Sequence, residues 1–305
     1  MEPAGATTTH TAFAGRLADR VTARESQIVL GLDPDPLRLW PVADAAADPA
    51  AAVADHCRAV IDAVADEVVA VKPQIACFER LGAPGWAALQ ATVTHARDAG
   101  LIVLADGKRG DIDVSATAYA QGLVGETPTA GGPVAGLGAD AMTVAPYMGL
   151  DTLRSFAAVA RPHGAGLFVL VRTSNPGAAD LEDEPLARGG TVWEHVAGFV
   201  ADLGAETLHA GSGLADVGAV VGATAPEHLA RARELMPHAV FLLPGIGAQG
   251  GRVEDLAPAF APGRAAGLVT ASRSIVGAHA QHGGAPAAAA RAEAQRLRDA
   301  AWGLC

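Results

Sequence analysis

The feature that most constrains the fold of this chain is a recurrence: eight short runs rich in Val, Ile and Leu, set between longer amphipathic stretches. They are IVLGLD (28–33), VVAVKP (68–73), LIVLAD (101–106), AMTVAP (141–146), GLFVLVR (166–172), VGAVVGA (217–223), AVFLLPG (239–245) and GLVTAS (267–272). Strands that are apolar throughout, rather than alternating, belong to parallel sheets covered on both faces. The segments between them, such as PAAAVADHCRAVIDAVADE and TVWEHVAGFVADLG, read as helices. Eight βα units predict an α/β chain built as a single (β/α)8 TIM barrel over all 305 residues, with residues 1–12 a flexible N-terminal tail. A doubly wound open sheet is the competing architecture, because strand count does not establish closure. The glycine-rich stretches 122–140 and 175–190 read as long loops rather than domain boundaries, the second as a candidate lid. The acidic run DLEDE (180–184) reads as solvated loop surface.

Composition narrows the partners. A formal net charge of −11 argues against nucleic acid and against an anionic membrane, since both reward positive surfaces. No run approaches the length of a membrane span, and MEPAGATTTHTAFAGRLADR lacks a basic region followed by an apolar one. Cys57, Cys77 and Cys305 form no C-x-x-C, and their odd number argues against a disulfide framework. The expectation is a cytoplasmic protein acting on a small molecule, an anionic one if several cations converge in one cleft.

In such a barrel the chemistry sits at the C-terminal ends of the strands. Asp33 ends the first run, Lys72 lies near the end of the second, and Asp106 and Lys108 lie at the end of the third. Thr173 and Ser174 follow the fifth, Gln249 follows the seventh, and Arg273 follows the eighth. Twenty arginines accompany only two lysines, Lys72 and Lys108, and both fall at strand ends. Residues two apart in a strand point the same way, so Asp106 and Lys108 should face the barrel mouth together, with Asp111 in the loop beyond. A lysine held between carboxylates keeps its proton, which disfavours an imine-forming role and favours a proton donor. Arginine would hold the charge but not release the proton.

PGIGAQGG (244–251) contains a G-x-G-x-x-G after a strand and before a helix-like segment. A dinucleotide site would want an acidic residue at the end of the next strand, where this chain has TASRS with Arg273. A phosphate fits better, held by exposed backbone N–H groups and closed by the arginine. Pro244, Gln249 and Arg273 are therefore the phosphate-side candidates. No H-E-x-x-H and no G-x-S-x-G occurs. Asp33, Asp106 and Asp111 leave a Mg²⁺ site open, although none is expected.

At these residues the chain resembles the orotidine 5′-phosphate decarboxylases, in particular their longer bacterial branch. DGKRGDI matches the D-x-K-x-x-D-I signature, and GLDPDP, VKPQIACFE, RTSNPGA, PGIGAQGG and ASRSI follow the family's other site segments in order, over roughly residues 13 to 280. The resemblance implies a barrel homodimer converting orotidine 5′-monophosphate to uridine 5′-monophosphate and CO2, the last step of de novo synthesis of that nucleotide, without metal or organic cofactor. It implies that Asp33 and Lys72 bind ribose hydroxyls, and that Lys72, Asp106, Lys108 and Asp111 form a charged array. Asp111 and Ile112 would be lent to the partner's site, Ser174 would contact the pyrimidine, and Gln249 and Arg273 the phosphate. The chain departs from the family at Ser115, where threonine is usual and a hydroxyl is kept, at Asp113-Val114, and at Ala145-Pro146-Tyr147, where the family has N-P-Y. Two alternatives remain at this stage: a Mg²⁺-dependent phosphosugar decarboxylase or aldol-type synthase on the same barrel, and a non-catalytic phosphate-binding barrel.

Overall fold

A computed structural model describes residues 12–41, 48–247 and 250–305. Except for Ala12, the expected tail lies outside the described residues. Eight parallel strands follow one another around a closed barrel: strand 1 (Ile28–Leu32), strand 2 (Ala70–Pro73), strand 3 (Ile102–Arg109), strand 4 (Ala141–Val144), strand 5 (Gly166–Arg172), strand 6 (Val217–Val221), strand 7 (Phe241–Leu243) and strand 8 (Gly267–Ala271). Strand 8 pairs back onto strand 1, with Ile28 opposite Val269 and Leu30 opposite Ala271. That pairing rules out the open sheet, and each of the eight apolar runs supplies one strand.

The runs are apolar throughout because the strands are buried on both faces. In strand 1, Ile28, Leu30 and Leu32 pack outward under the helices, while Val29 joins a second core inside the barrel. Local signals start the covering helices. Asp48 caps Pro49–Val64 by accepting from the backbone N–H groups of Ala50 and Ala51 at 3.1 and 3.0 Å, with proline at the first helical position. Thr191 and Glu194 form a capping box at the start of Val192–Gly204.

A helix not foreseen from the periodicity, Phe13–Arg24, plugs the end of the barrel where the strands begin. Its Phe13, Ala14, Leu17 and Val21 pack with Val29, Ala70, Ile102 and Phe168. Phe13 meets Phe168 edge-on, with ring centroids 5.9 Å apart. Gly166 makes the approach possible, since a Cβ there would lie 2.5 Å from the Phe13 ring. Ala14 N–H donates to Asp216 Oδ1 at 2.8 Å, fixing the helix start to the strand 6 side.

The stretch 122–140 is not simply a loop. The preceding helix runs to Val124, and Glu126–Thr127 pairs antiparallel with Val134–Ala135. In 175–190 a short 3-10 turn, Pro176–Asp180, leads into irregular chain.

Phe13→Ala should remove the plug's main anchor and cost about 3–5 kcal/mol, the usual range for a buried phenylalanine. The urea midpoint should fall accordingly, with the opposite end of the barrel, where the strands finish, undisturbed.

Candidate active site

At the end of the barrel where the strands finish, inward side chains surround a cavity of about 580 Å³. Of the residues singled out from the sequence, Asp33, Lys72, Asp106, Lys108, Ser174, Pro244 and Arg273 line it. Asp111, Ile112 and Ser115 do not. The Asp111 carboxylate accepts locally from the Ile112 N–H at 2.8 Å, Ile112 is 54% exposed, and Ser115 is exposed on the first turn of helix Asp113–Val124. Gln249 lies outside the described residues. The three aspartates considered for Mg²⁺ are thus not gathered in this chain's cavity, and no cluster of three or more His, Cys, Asp or Glu suited to a metal occurs among the described residues.

Asp106 is the hub of the cavity floor. Its Oδ2 accepts from the Lys72 ammonium and from Gln74 Nε2 at 3.2 Å. Its Oδ1 accepts from Lys108 Nζ at 2.7 Å and from the Thr143 hydroxyl at 2.9 Å. Burial alone would raise the Asp106 carboxyl, but the two ammonium groups and their hydrogen bonds outweigh it and hold the pKa down to about 2. Lys72 shows the reciprocal effect: burial works to lower its pKa, and the carboxylates of Asp106 and Asp33 raise it on balance. The two lysines differ in access. The side chain of Lys72 is 8% exposed and that of Lys108 46%, so Lys108 is the ammonium open to a bound molecule.

Asp106 and Lys108 meet as expected, but not by simple alternation. The register of strand 3 against strand 4 shifts between Ala105 and Arg109, and Lys108 has φ +45°. A left-handed lysine costs on the order of 1–3 kcal/mol and persists only where its surroundings over-determine it. Here the Lys108 N–H donates to Thr143 Oγ1 at 2.8 Å, Ala145 N–H donates to the Arg109 carbonyl at 2.8 Å, and the Arg109 guanidinium pairs with Glu79 while lying over the Tyr119 ring. Thr143 therefore touches both ends of the Asp106–Lys108 pair.

Three contributors were missed in the sequence. Gln74 lies two residues beyond Lys72 and shares its face. Thr143 is the one polar residue within AMTVAP. Both carried a visible signal, a polar side chain at an inward position. Glu182 carried none. The run DLEDE is not solvated surface alone: Asp183 binds the Arg172 guanidinium through both oxygens, each at 2.8 Å, and Glu182 accepts from the Thr173 N–H and hydroxyl, each at 2.8 Å.

On the phosphate side, the glycine loop makes a tight turn. Gly245, Gly247 and Gly250 have φ of 109°, 73° and 93°, conformations other residues rarely adopt, and Gly251 N–H donates to the Gly245 carbonyl at 3.0 Å. The segment that follows is a 3-10 helix, Val253–Phe260, rather than an α-helix, with Pro258 inside it. Arg273, at the start of Arg273–Val276, and Pro244, Gly245 and Ile246 bound the same end of the cavity.

The orotidine 5′-phosphate decarboxylase / HUMPS family model matches residues 26–292. The chain belongs to that family. Among relatives named orotidine 5′-phosphate decarboxylase, one from Rhodopirellula baltica is 44% identical, covering 88% of this chain and 89% of its own. One from Deinococcus radiodurans is 43% identical, covering 94% and 96%. A crystal structure of a candidate orotidine 5′-phosphate decarboxylase from Streptomyces avermitilis superposes with a TM-score of 0.81 at 32% identity, covering 98% of each chain. Leishmania donovani OMP decarboxylase superposes with a TM-score of 0.71 at 30% identity, covering 95% of this chain and 99% of that one.

In this member of the decarboxylase family the hub carries a pH dependence with a definite sign. The folded Asp106 pKa lies near 2, below the ordinary value near 4, so its contribution to stability is complete above pH 4 and is lost as pH falls toward 2. Denaturation between pH 5 and pH 2 should show a loss from this group on the order of 2 kcal/mol. Asp106→Asn, which has nothing to titrate, should lack that component.

Proposed function

We infer that the chain is a carboxy-lyase that converts orotidine 5′-monophosphate to uridine 5′-monophosphate and CO2. The observation that carries this reading is Asp106, buried between two ammonium groups, one of them open to a cavity whose far end is bounded by a glycine turn and an arginine. The curated relatives named for this activity support it, and neither the Mg²⁺-dependent synthase nor the non-catalytic barrel finds support among them. The decisive assay follows loss of orotidine 5′-monophosphate absorbance in metal-free buffer with and without EDTA. Turnover unaffected by EDTA is expected, and absence of turnover in active-folded protein would overturn the reading.

The site residues take the roles that the family resemblance implies. Arg273, Gln249 and the Pro244 turn receive the phosphate, whose binding energy holds the reacting ring against the floor. Asp33 and Lys72 take ribose hydroxyls, and Ser174 takes the pyrimidine. Loss of CO2 leaves an electron pair on C6. The Lys108 ammonium stabilises that charge and then delivers a proton from Nζ to C6, so neither metal nor organic cofactor is needed. Asp106 keeps Lys108 aimed, and its charge faces the departing carboxylate. The working unit is one barrel domain in a cytoplasmic homodimer, with nucleotide as its ligand and neither nucleic acid nor membrane as a partner. Asp111, Ile112 and Ser115, which stand away from their own chain's cavity, complete the partner's site. The exposure of Ile112 at 54% and Val114 at 83%, beside Asp111, supports a face covered by a second copy.

Lys108→Arg keeps the charge but removes the proton donor, and kcat should fall several-thousand-fold, on the order of 5 kcal/mol. Retention of a tenth of wild-type kcat would sink the proton-donor role. The shared site is tested by mixing Asp111→Asn, which spoils a lent residue, with Lys72→Ala, which spoils a kept one. Each parent should be nearly inactive. With free exchange about half the dimers are mixed, and one of their two sites is intact, so activity should recover to roughly a quarter of wild type. A mixture with verified exchange that stays as inactive as its parents would place Asp111 outside the partner's site.

A further inference from the structure

We propose that Glu182 is a positioning residue for substrate, acting through Thr173 to present Ser174 to the pyrimidine; the proposal rests on the decarboxylase reading above. Ser174 lies two residues beyond the end of strand 5, in irregular chain. The acidic run returns to hold it. Glu182 Oε2 accepts from the Thr173 N–H and Oε1 from its hydroxyl, each at 2.8 Å, and Arg172 Nη1 donates to the Thr173 carbonyl at 2.6 Å. Arg172 is itself buried and clasped through two nitrogens by Asp183. All three hydrogen-bonding groups of Thr173 are thus engaged by one arginine and one glutamate, which the adjacent Asp183 ties together.

The Thr173 hydroxyl has one proton and two oxygen neighbours, Glu182 Oε1 and Asn175 Oδ1, the latter at 2.7 Å. A carboxylate only accepts, so the proton goes to Glu182, and the Asn175 amide turns to offer its NH2 to the hydroxyl. From the other side, the Thr224 hydroxyl donates to the Ser174 carbonyl at 3.1 Å. Gly222 leaves room for the backbone of Ser174, since a Cβ at 222 would lie 2.8 Å from the Ser174 Cα. Ser174 is therefore seated against strand 6 and gripped from the loop. Glu182 lines the same cavity as Ser174 and Lys108, so the clasp is made at the cavity wall and not on the outer surface.

The test separates grip from general stability by comparing two ligands. Uridine 5′-monophosphate carries the pyrimidine, whereas ribose 5-phosphate lacks it and reaches only the phosphate and ribose side. In calorimetry, Glu182→Ala should weaken uridine 5′-monophosphate about 10- to 100-fold, roughly the worth of one hydrogen bond to a charged group because the grip reaches the ligand only through Ser174, and ribose 5-phosphate less than about threefold. Glu182→Gln can still accept from the Thr173 N–H and donate to its hydroxyl, so it should restore the nucleotide affinity to within about threefold of wild type. Equal weakening of both ligands, or a glutamine variant as poor as the alanine one, would overturn the proposal. If the alanine variant does not fold, Thr173→Val, which removes only the hydroxyl contact, should show the same preference for damaging the nucleotide, about threefold to tenfold. No change in either ligand would overturn it. Because binding is read without turnover, a wild type that binds uridine 5′-monophosphate but fails to decarboxylate would count against the decarboxylase reading and leave this comparison intact.

Discussion

A buried carboxylate between two ammonium groups is the interaction on which the catalytic end of this barrel depends. Asp106 joins three consecutive strands at one point: Lys72 and Gln74 reach it from strand 2 and its extension, Lys108 from its own strand, and Thr143 from strand 4. Taking such charges out of water is expensive, and only near-complete hydrogen bonding offsets it. Four donors on two oxygens meet that condition. Removing any one donor would leave part of a buried charge uncompensated, so the identities of these residues constrain one another.

The same hub explains why the end of strand 3 departs from regular geometry. A flat strand would carry Lys108 past the carboxylate along the pleat. The register shift and the left-handed turn at Lys108 instead bring its ammonium to Asp106 Oδ1 while leaving it open to the cavity. Strain of this kind is held by long-range contacts, here Thr143 beneath the backbone and the Arg109–Glu79 pair outside it. The floor is therefore fixed by contacts within the barrel. By contrast, the wall at Thr173 and Ser174 is irregular chain held by the acidic loop nine residues on and by Thr224 just past strand 6. The site combines a floor set by the barrel and a wall set by side chains added to it.

The remainder of the fold serves this arrangement. The plug Phe13–Arg24 closes the opposite end of the barrel, so the interior below the hub is packed rather than open to water. Low dielectric beneath the hub strengthens its ion pairs and would penalise any unpaired charge there. In a chain of net charge −11, the cavity lining balances Lys72, Lys108 and Arg273 against Asp33, Asp106 and Glu182, so the local attraction for an anionic group comes from the placement of Arg273 beside the glycine turn at one end.

The sequence by itself determined the eight strands and their parallel arrangement, because apolar runs of that length and spacing have few other ways to be buried. It also determined Asp33, Lys72 and Asp106 as strand-end residues, since side-chain direction along a strand is a local property, and it put Lys108 beside them in the chain without fixing its direction. Gln74 and Thr143 obeyed the same rule. Tertiary structure alone decided what depends on residues distant in the chain. It decided closure, which is a pairing of strand 8 with strand 1 across more than two hundred residues. It also decided the kink at Lys108, which needs Thr143 of strand 4 and Ala145 just beyond it, and, over a span of only nine and eleven residues, the attachment of Glu182 to Thr173 and of Asp183 to Arg172. An acidic run has the same local signature whether it faces water or folds back onto a guanidinium. Only the three-dimensional course of the chain distinguishes the two, because the energy of a charge is set by what surrounds it and not by its neighbours in sequence.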